Sequence, residues 1–208
     1  GIAAPPSAAP LIAAAQLRTE QRKLEQSHIV LARRTVSATS PDRFAARIFA
    51  EIFGGGMASR LFQDVREARG LAYTIDAACD QHSDCGRISV YAGSDPKDAA
   101  EVVKITSDIW ADIAAKGPTD AELARAKAIA AAQFAMSAEA PASRSGSAAY
   151  ELLTFDRLVS VEEVLAHIGN VTIDDVRRVA ADTLANPAIA SAVGPKAGLA
   201  AAEAFVSA

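Results

Sequence analysis

At 208 residues the chain is long enough for one large domain or two small ones, and with half its residues hydrophobic and 22% charged it has the balance of an ordinary globular protein. A net charge of −4, acids and bases interspersed without a Lys/Arg stripe, and only 5% aromatic residues leave no basic surface or stacking platform for nucleic acid. No run approaches the roughly 18 consecutive apolar residues that a membrane-spanning helix needs.

Residues 1–16, GIAAPPSAAPLIAAAQ, are small, uncharged and broken by proline, and read as a linker from a preceding segment. A start at Gly instead of Met fits a processed product or a fragment, and it lacks the cationic opening of a signal peptide. A short strand is read around Arg22 to Glu25. The run SHIVLARR, with a β-branched pair, reads as a strand that begins at His28.

Ser40-Pro41 opens a helix, with Ser as N-cap and Pro at the first helical position. Phe44, Ile48 and Ile52, beside Ala45, Phe49 and Phe53, give it one broad apolar face. Gly54-Gly55-Gly56 ends it, as glycine accepts the left-handed conformation of a C-cap. A second helix carries Met57, Leu61 and Val65 on one stripe and closes at Gly70. LAYTIDAAC, the turn DQHSD and GRISVYAGS then form a β-hairpin.

The second half is mainly helical. Asp95-Pro96 starts a helix with Val102, Thr106, Ile109 and Ile113 on a shared face, ended by Gly117-Pro118. Thr119 and Glu122 form a capping box for the next helix, which Pro141 and Gly146 interrupt. Ser160 with Glu163 repeats that pattern, and Thr172 caps a further helix that ends near Pro187. AIASAVG is a last strand, before an Ala-rich tail over residues 197–208. The expected fold is α+β: a two-layer sandwich of a mainly antiparallel sheet with long helices packed on one face, over residues 17–196. A doubly wound parallel fold fits worse, because the hairpin is antiparallel and no Gly-rich phosphate turn follows a strand.

The run GGGMASRLFQDVREARGLAYTI closely resembles the signature of the C-terminal domain of zinc peptidases of the pitrilysin and mitochondrial-processing-peptidase family. YAGSDP, the helix TDAELARAKAIAAAQF, VTIDDVRRVAADTL and AVGP continue the likeness in the right order, over roughly residues 20 to 196. The resemblance implies a metallopeptidase-half fold of bacterial type. It also implies an inverted zinc motif, H-x-x-E-H, on a homologous N-terminal half or partner subunit, with two His binding zinc and the Glu acting as general base.

This sequence has no such motif: its three histidines, His28, His82 and His167, stand far apart, and Cys79 and Cys85 offer only two thiols. The chain is therefore expected to hold no metal or other cofactor, with zinc on the partner domain or subunit, and to be inactive alone. The family's C-terminal half also aims an Arg and a Tyr, seven positions apart, across the cavity at the zinc site. Carried over to this sequence, these are Arg66 in VREARG and Tyr73 in GLAY. A guanidinium and a phenol can stabilise the oxyanion built when water attacks a peptide carbonyl. Against that role, Arg66 could pair with Asp64 or Glu67, Arg69 competes with it, and the Tyr73 ring could lie in the core.

Two readings of function follow. In the first, the chain is the non-catalytic half of a zinc endopeptidase, with peptide substrate and the zinc-bearing half as partners. In the alternative, it is an assembly or binding subunit whose parent has lost zinc chemistry. Cys79 and Cys85 flank the hairpin turn, and a bridge between them would point to a periplasm instead of a cytoplasm; two reduced thiols are the alternative.

Overall fold

The computed structural model describes residues 14–207. Five strands form one sheet in the order β1-β5-β2-β4-β3. They are β1 (Gln16–Gln21), β2 (Ser27–Thr35), β3 (Ala72–Gln81), β4 (Gly86–Ser94) and β5 (Ile189–Gly194). Only the β1–β5 pair is parallel; the other neighbours run antiparallel, so the expected α+β sandwich is the fold observed. The predicted hairpin is β3–β4, in register from Thr74↔Gly93 to Gln81↔Gly86.

The helices are α1 (Arg43–Gly54), α2 (Ala99–Lys116), α3 (Asp120–Glu139), α4 (Pro141–Phe155), α5 (Val161–Asn170), α6 (Ile173–Leu184) and α7 (Lys196–Ser207). A seven-residue π-helix, Phe62–Ala68, lies between α1 and β3. Alternate residues of the strands, Ile29 and Leu31, Ile75 and Ala77, Ile88 and Val90, point to one buried face. Against this face pack Phe49, Phe53 and Trp110, whose ring centroids lie 5.0–5.8 Å apart. The Trp110 indole N–H also donates to the Ala180 carbonyl at 3.3 Å, so burying the ring strands no polar atom. Each such side chain taken from water contributes about 1.5–3 kcal/mol.

Several expectations are corrected. The strand read over residues 22–25 lies earlier, as β1, and its six residues are all exposed at the sheet edge. Helix α1 starts two residues later, because Ser40 Oγ accepts from the Asp42 N–H and makes a turn before the helix. Likewise α2 starts after an Asp98 N-cap, the Asp95 carboxylate having taken the Lys97 N–H. The glycine at the end of α1 is not left-handed: Gly55 has φ −74°. Glycine is needed there for approach, since a β-carbon on Gly54 would lie 2.7 Å from Ala77 of β3. Met57 is 75% exposed, while Leu61 and Val65 are buried. Gly146 does not interrupt α4; Pro141 alone separates α3 from α4, at the helix start where its missing N–H costs nothing. Glu163 leaves the Ser160 cap one-sided, its carboxylate being taken by Arg157.

The residues read as an Ala-rich tail form most of α7, which packs on β5, β2, β1 and α2 with Ala201, Ala202 and Phe205 buried. The linker expected over residues 1–16 lies outside the described residues up to residue 13, and Gln16 already opens β1.

Candidate functional site

Arg66 and Tyr73 stand on either side of one tight reversal. The π-helix closes with the Gly70 N–H donating to the Arg66 carbonyl at 3.2 Å and the Leu71 N–H to the Val65 carbonyl at 2.9 Å. Gly70 has φ +64°, a conformation that side-chain-bearing residues adopt at a cost, and it turns the chain into β3. Val65 and Leu61 are fully buried and pin the π-helix beside the sheet.

Arg66 is exposed, with its guanidinium carbon 4.9 Å from the centre of the Phe62 ring. Stacking of this kind steadies the planar group and leaves its N–H fork available. Among the described residues it pairs with no carboxylate. Arg69, the competing arginine, is the one that is locally tied: its Nε reaches Asp64 Oδ1 at 3.2 Å and its Nη1 reaches Glu101 Oε1 at 3.7 Å.

Tyr73 is 65% exposed, and its ring is not in the core. Its exposure comes from a β-bulge: Ala72 pairs with Ser94 and Thr74 with Gly93, which leaves Tyr73 as the extra residue. The burial sequence shows the effect, because Ala72 and Ile75 are buried while both Tyr73 and Thr74 are exposed. The bulge therefore sets two successive side chains on the solvent face of the sheet. No signal in the sequence announces this, as a bulge depends on the partner strand.

The outer face of the sheet carries no helix among the described residues, since α1, α2, α6 and α7 pack with the buried strand residues on the other side. Along one row across the strands lie Thr74, Gly93, His28, Val193 and Glu20. The next row on that face holds Asp76 and Tyr91. His28 Nδ1 shares a 2.8 Å hydrogen bond with the Tyr91 hydroxyl, a pairing that the sequence reading did not foresee.

The histidines do not make a zinc site. His28 is bound to Tyr91, His82 is in the β3–β4 turn, and His167 stacks on Phe44 with centroids 5.3 Å apart. Among the described residues no three His, Cys, Asp or Glu side chains converge on a point where a metal could be held. The cysteines are both free: Cys79 stands opposite Ile88 and Cys85 lies in the turn, so they do not face each other.

The described residues thus form a mainly antiparallel sheet covered by helices on one face, with no metal-binding cluster among them. A family profile described as the peptidase M16 inactive domain matches residues 3–130. An uncharacterized zinc protease of Streptomyces coelicolor is 36% identical over 91% of this chain, and one of Mycobacterium tuberculosis is 35% identical over 86% of it. The chain spans 43% and 41% of those relatives, less than half of their length. Among solved structures, a protease from Helicobacter pylori superposes with TM-score 0.82 at 19% identity, over 94% of this chain and 47% of that one. A peptidase M16 inactive domain from Pseudomonas fluorescens gives TM-score 0.76 at 22% identity, over 88% of this chain and 44% of that one. The chain belongs to the M16 peptidase family, as its inactive C-terminal domain.

Proposed function

We propose that this chain is the substrate-gripping half of a zinc endopeptidase, supplying Arg66 and Tyr73 to a reaction centre whose metal is held by the zinc-bearing half. The observation that carries the reading is the exposed, unpaired state of both side chains at one reversal, with Arg69 and not Arg66 paired to Asp64 and Glu101. Such donors stabilise charge that develops on a peptide carbonyl oxygen, because they are held in place before the reaction. The relatives named as zinc proteases, about twice as long as this chain, favour it over a parent that has lost zinc chemistry.

The test is peptide hydrolysis by this chain combined with the zinc-bearing half. Alone, the chain is expected to cleave nothing. In the combined enzyme Tyr73→Phe removes one donor and should slow turnover on the order of 10²-fold, with Arg66→Ala at least as severe. Both sites are exposed, so thermal stability should barely move. Full turnover in both variants would remove the pair from the chemistry.

A further inference from the structure

We infer that the outer face of the sheet carries a second peptide-contact site, built by His28, Tyr91 and Gln26 around Gly93, which extends the proposed Tyr73 site along an extended substrate. This inference rests on that gripping role.

An ideal β-carbon on Gly93 would lie 3.4 Å from the Tyr91 hydroxyl, 3.5 Å from Gln26 Oε1 and 3.8 Å from His28 Nδ1. His28 of β2, Tyr91 of β4 and Gln26, the residue just before β2, thus converge over the side-chain-free backbone of Gly93, which lies buried beneath them. Tyr91 lies two residues before Gly93 on the same face, and the missing side chain lets its hydroxyl reach His28 across the strand pair. The rings are nearly parallel, with 16° between planes and centroids 6.2 Å apart. All three side chains are half-buried, and on this face no helix covers them among the described residues.

The chemistry of the pair selects its ligand. If the Tyr91 hydroxyl donates to Nδ1, the pair presents Nε2–H as a donor and the phenol oxygen as an acceptor. If Nδ1–H donates to the phenol oxygen, Nε2 becomes the acceptor and the hydroxyl the donor. Either tautomer therefore offers one donor and one acceptor, the complement of a peptide group with its C=O and N–H. The Gln26 carboxamide adds another of each. None of the three groups needs a charge to bind, which favours a neutral backbone over an ionic ligand.

The place fits the Tyr73 site. His28 and Thr74 both pair with Gly93, so they are two strand spacings apart, about 10 Å. Tyr73 is the bulged residue next to Thr74. Three residues of extended peptide cover about 10 Å. A substrate with one carbonyl at Tyr73 can thus set a peptide group a few residues away over the His28–Tyr91 pair.

The experiment is a titration of the isotope-labelled 208-residue chain with an acetylated and amidated peptide of about twelve Ala and Ser residues, roughly 40 Å when extended, followed by NMR. The His28 ring and Gly93 amide signals should move with the same Kd as those of Tyr73. Tyr91→Phe and His28→Ala should each weaken binding about three- to tenfold, the scale of one or two hydrogen bonds, and lower Tm by only about 2–4 °C for the lost bond between the two side chains. His28→Gln, which keeps a donor and an acceptor, should bind better than His28→Ala. Shifts confined to Tyr73 and its neighbours, with Kd unchanged in both variants, would overturn the second site and leave the gripping role standing. An absence of shifts at both places would overturn both.

Discussion

Arg60 grips Glu122 through two nitrogens, Nε to Oε1 at 2.7 Å and Nη2 to Oε2 at 2.9 Å. The same guanidinium holds Asp112 Oδ2 at 2.8 Å, so the residue that leads into the π-helix is tied to both α2 and α3. Glu122 also accepts from the Thr119 N–H at 2.8 Å as the returning arm of the α3 capping box. One carboxylate thus starts a helix and anchors the segment that presents Arg66. Glu122→Gln should cost on the order of 2 kcal/mol, between the cost of breaking an exposed pair and a buried one, and lower Tm by about 4–8 °C.

The same pair sets an acid limit. The Arg60 hydrogen bonds hold the Glu122 carboxyl at about 2, below its ordinary 4.5. The folded chain then binds this proton more weakly than the unfolded one. Its stabilisation is complete above about pH 4.5 and is lost as the pH falls toward 2. Denaturant melts from pH 6 to pH 3 should show Glu122→Gln losing less stability across that interval than the parent.

Gly70 should tolerate Ala poorly for a backbone reason alone. Nothing lies within 4 Å of a β-carbon there, so the cost is that of φ +64° in a non-glycine residue, about 1 kcal/mol. Gly70→Asn, which visits that conformation more readily, should recover part of it in a thermal melt. A Gly70→Ala chain of unchanged stability would mean that the reversal is less fixed than its hydrogen bonds indicate.

The two thiols should behave differently. Burial pushes Cys79 up to about 12; Cys85, in the turn, is also raised, by desolvation and by the neighbouring Asp84, but it is the less enclosed of the two. At pH 8 a maleimide should label one cysteine first, more slowly than a free thiol and identified as Cys85 by peptide mapping, and Cys79 only after unfolding. Intact mass should be the same with and without reductant, because the residues do not face each other. A loss of two hydrogens in the native protein would contradict this arrangement.

Phe205→Ala tests the role of α7. The ring is only 4% exposed and lies under the Arg33 guanidinium at 5.2 Å. Arg33 itself donates to the Leu184 carbonyl at 3.0 Å at the end of α6, so the ring helps to hold a helix terminus. Truncation should destabilise the fold by about 3–5 kcal/mol in denaturant melts. A change below about 1 kcal/mol, the scale of surface substitutions, would return this segment to a dispensable tail.

Features that depend on neighbours in the chain were legible in the sequence. The Thr119–Glu122 box and the Thr172 cap form between residues three apart, and the face of Val102, Thr106, Ile109 and Ile113 follows from the helical repeat. The β3–β4 hairpin has a short turn, so its partners are also near neighbours, and the family likeness rested on motifs of this local kind. Strand β1 was not legible, because QLRTEQ has no buried alternation and its partner, β5, lies at the other end of the chain. Helix α7 is Ala-rich enough to pass for a tail, and only the sheet and α2 beside it make Phe205 a core residue. Gly54 reads as a helix cap in the sequence, whereas in the fold Ala77 lies against it and leaves no room for a side chain. At the candidate site the sequence supplied the identities of Arg66 and Tyr73, but their availability was decided by contacts. Asp64 and Glu101 engage Arg69 instead of Arg66, and the register against Gly93 and Ser94 makes Tyr73 the bulged residue. Which carboxylate a guanidinium meets, and which strand residue has no partner, depend on distances through space that the order of residues does not contain.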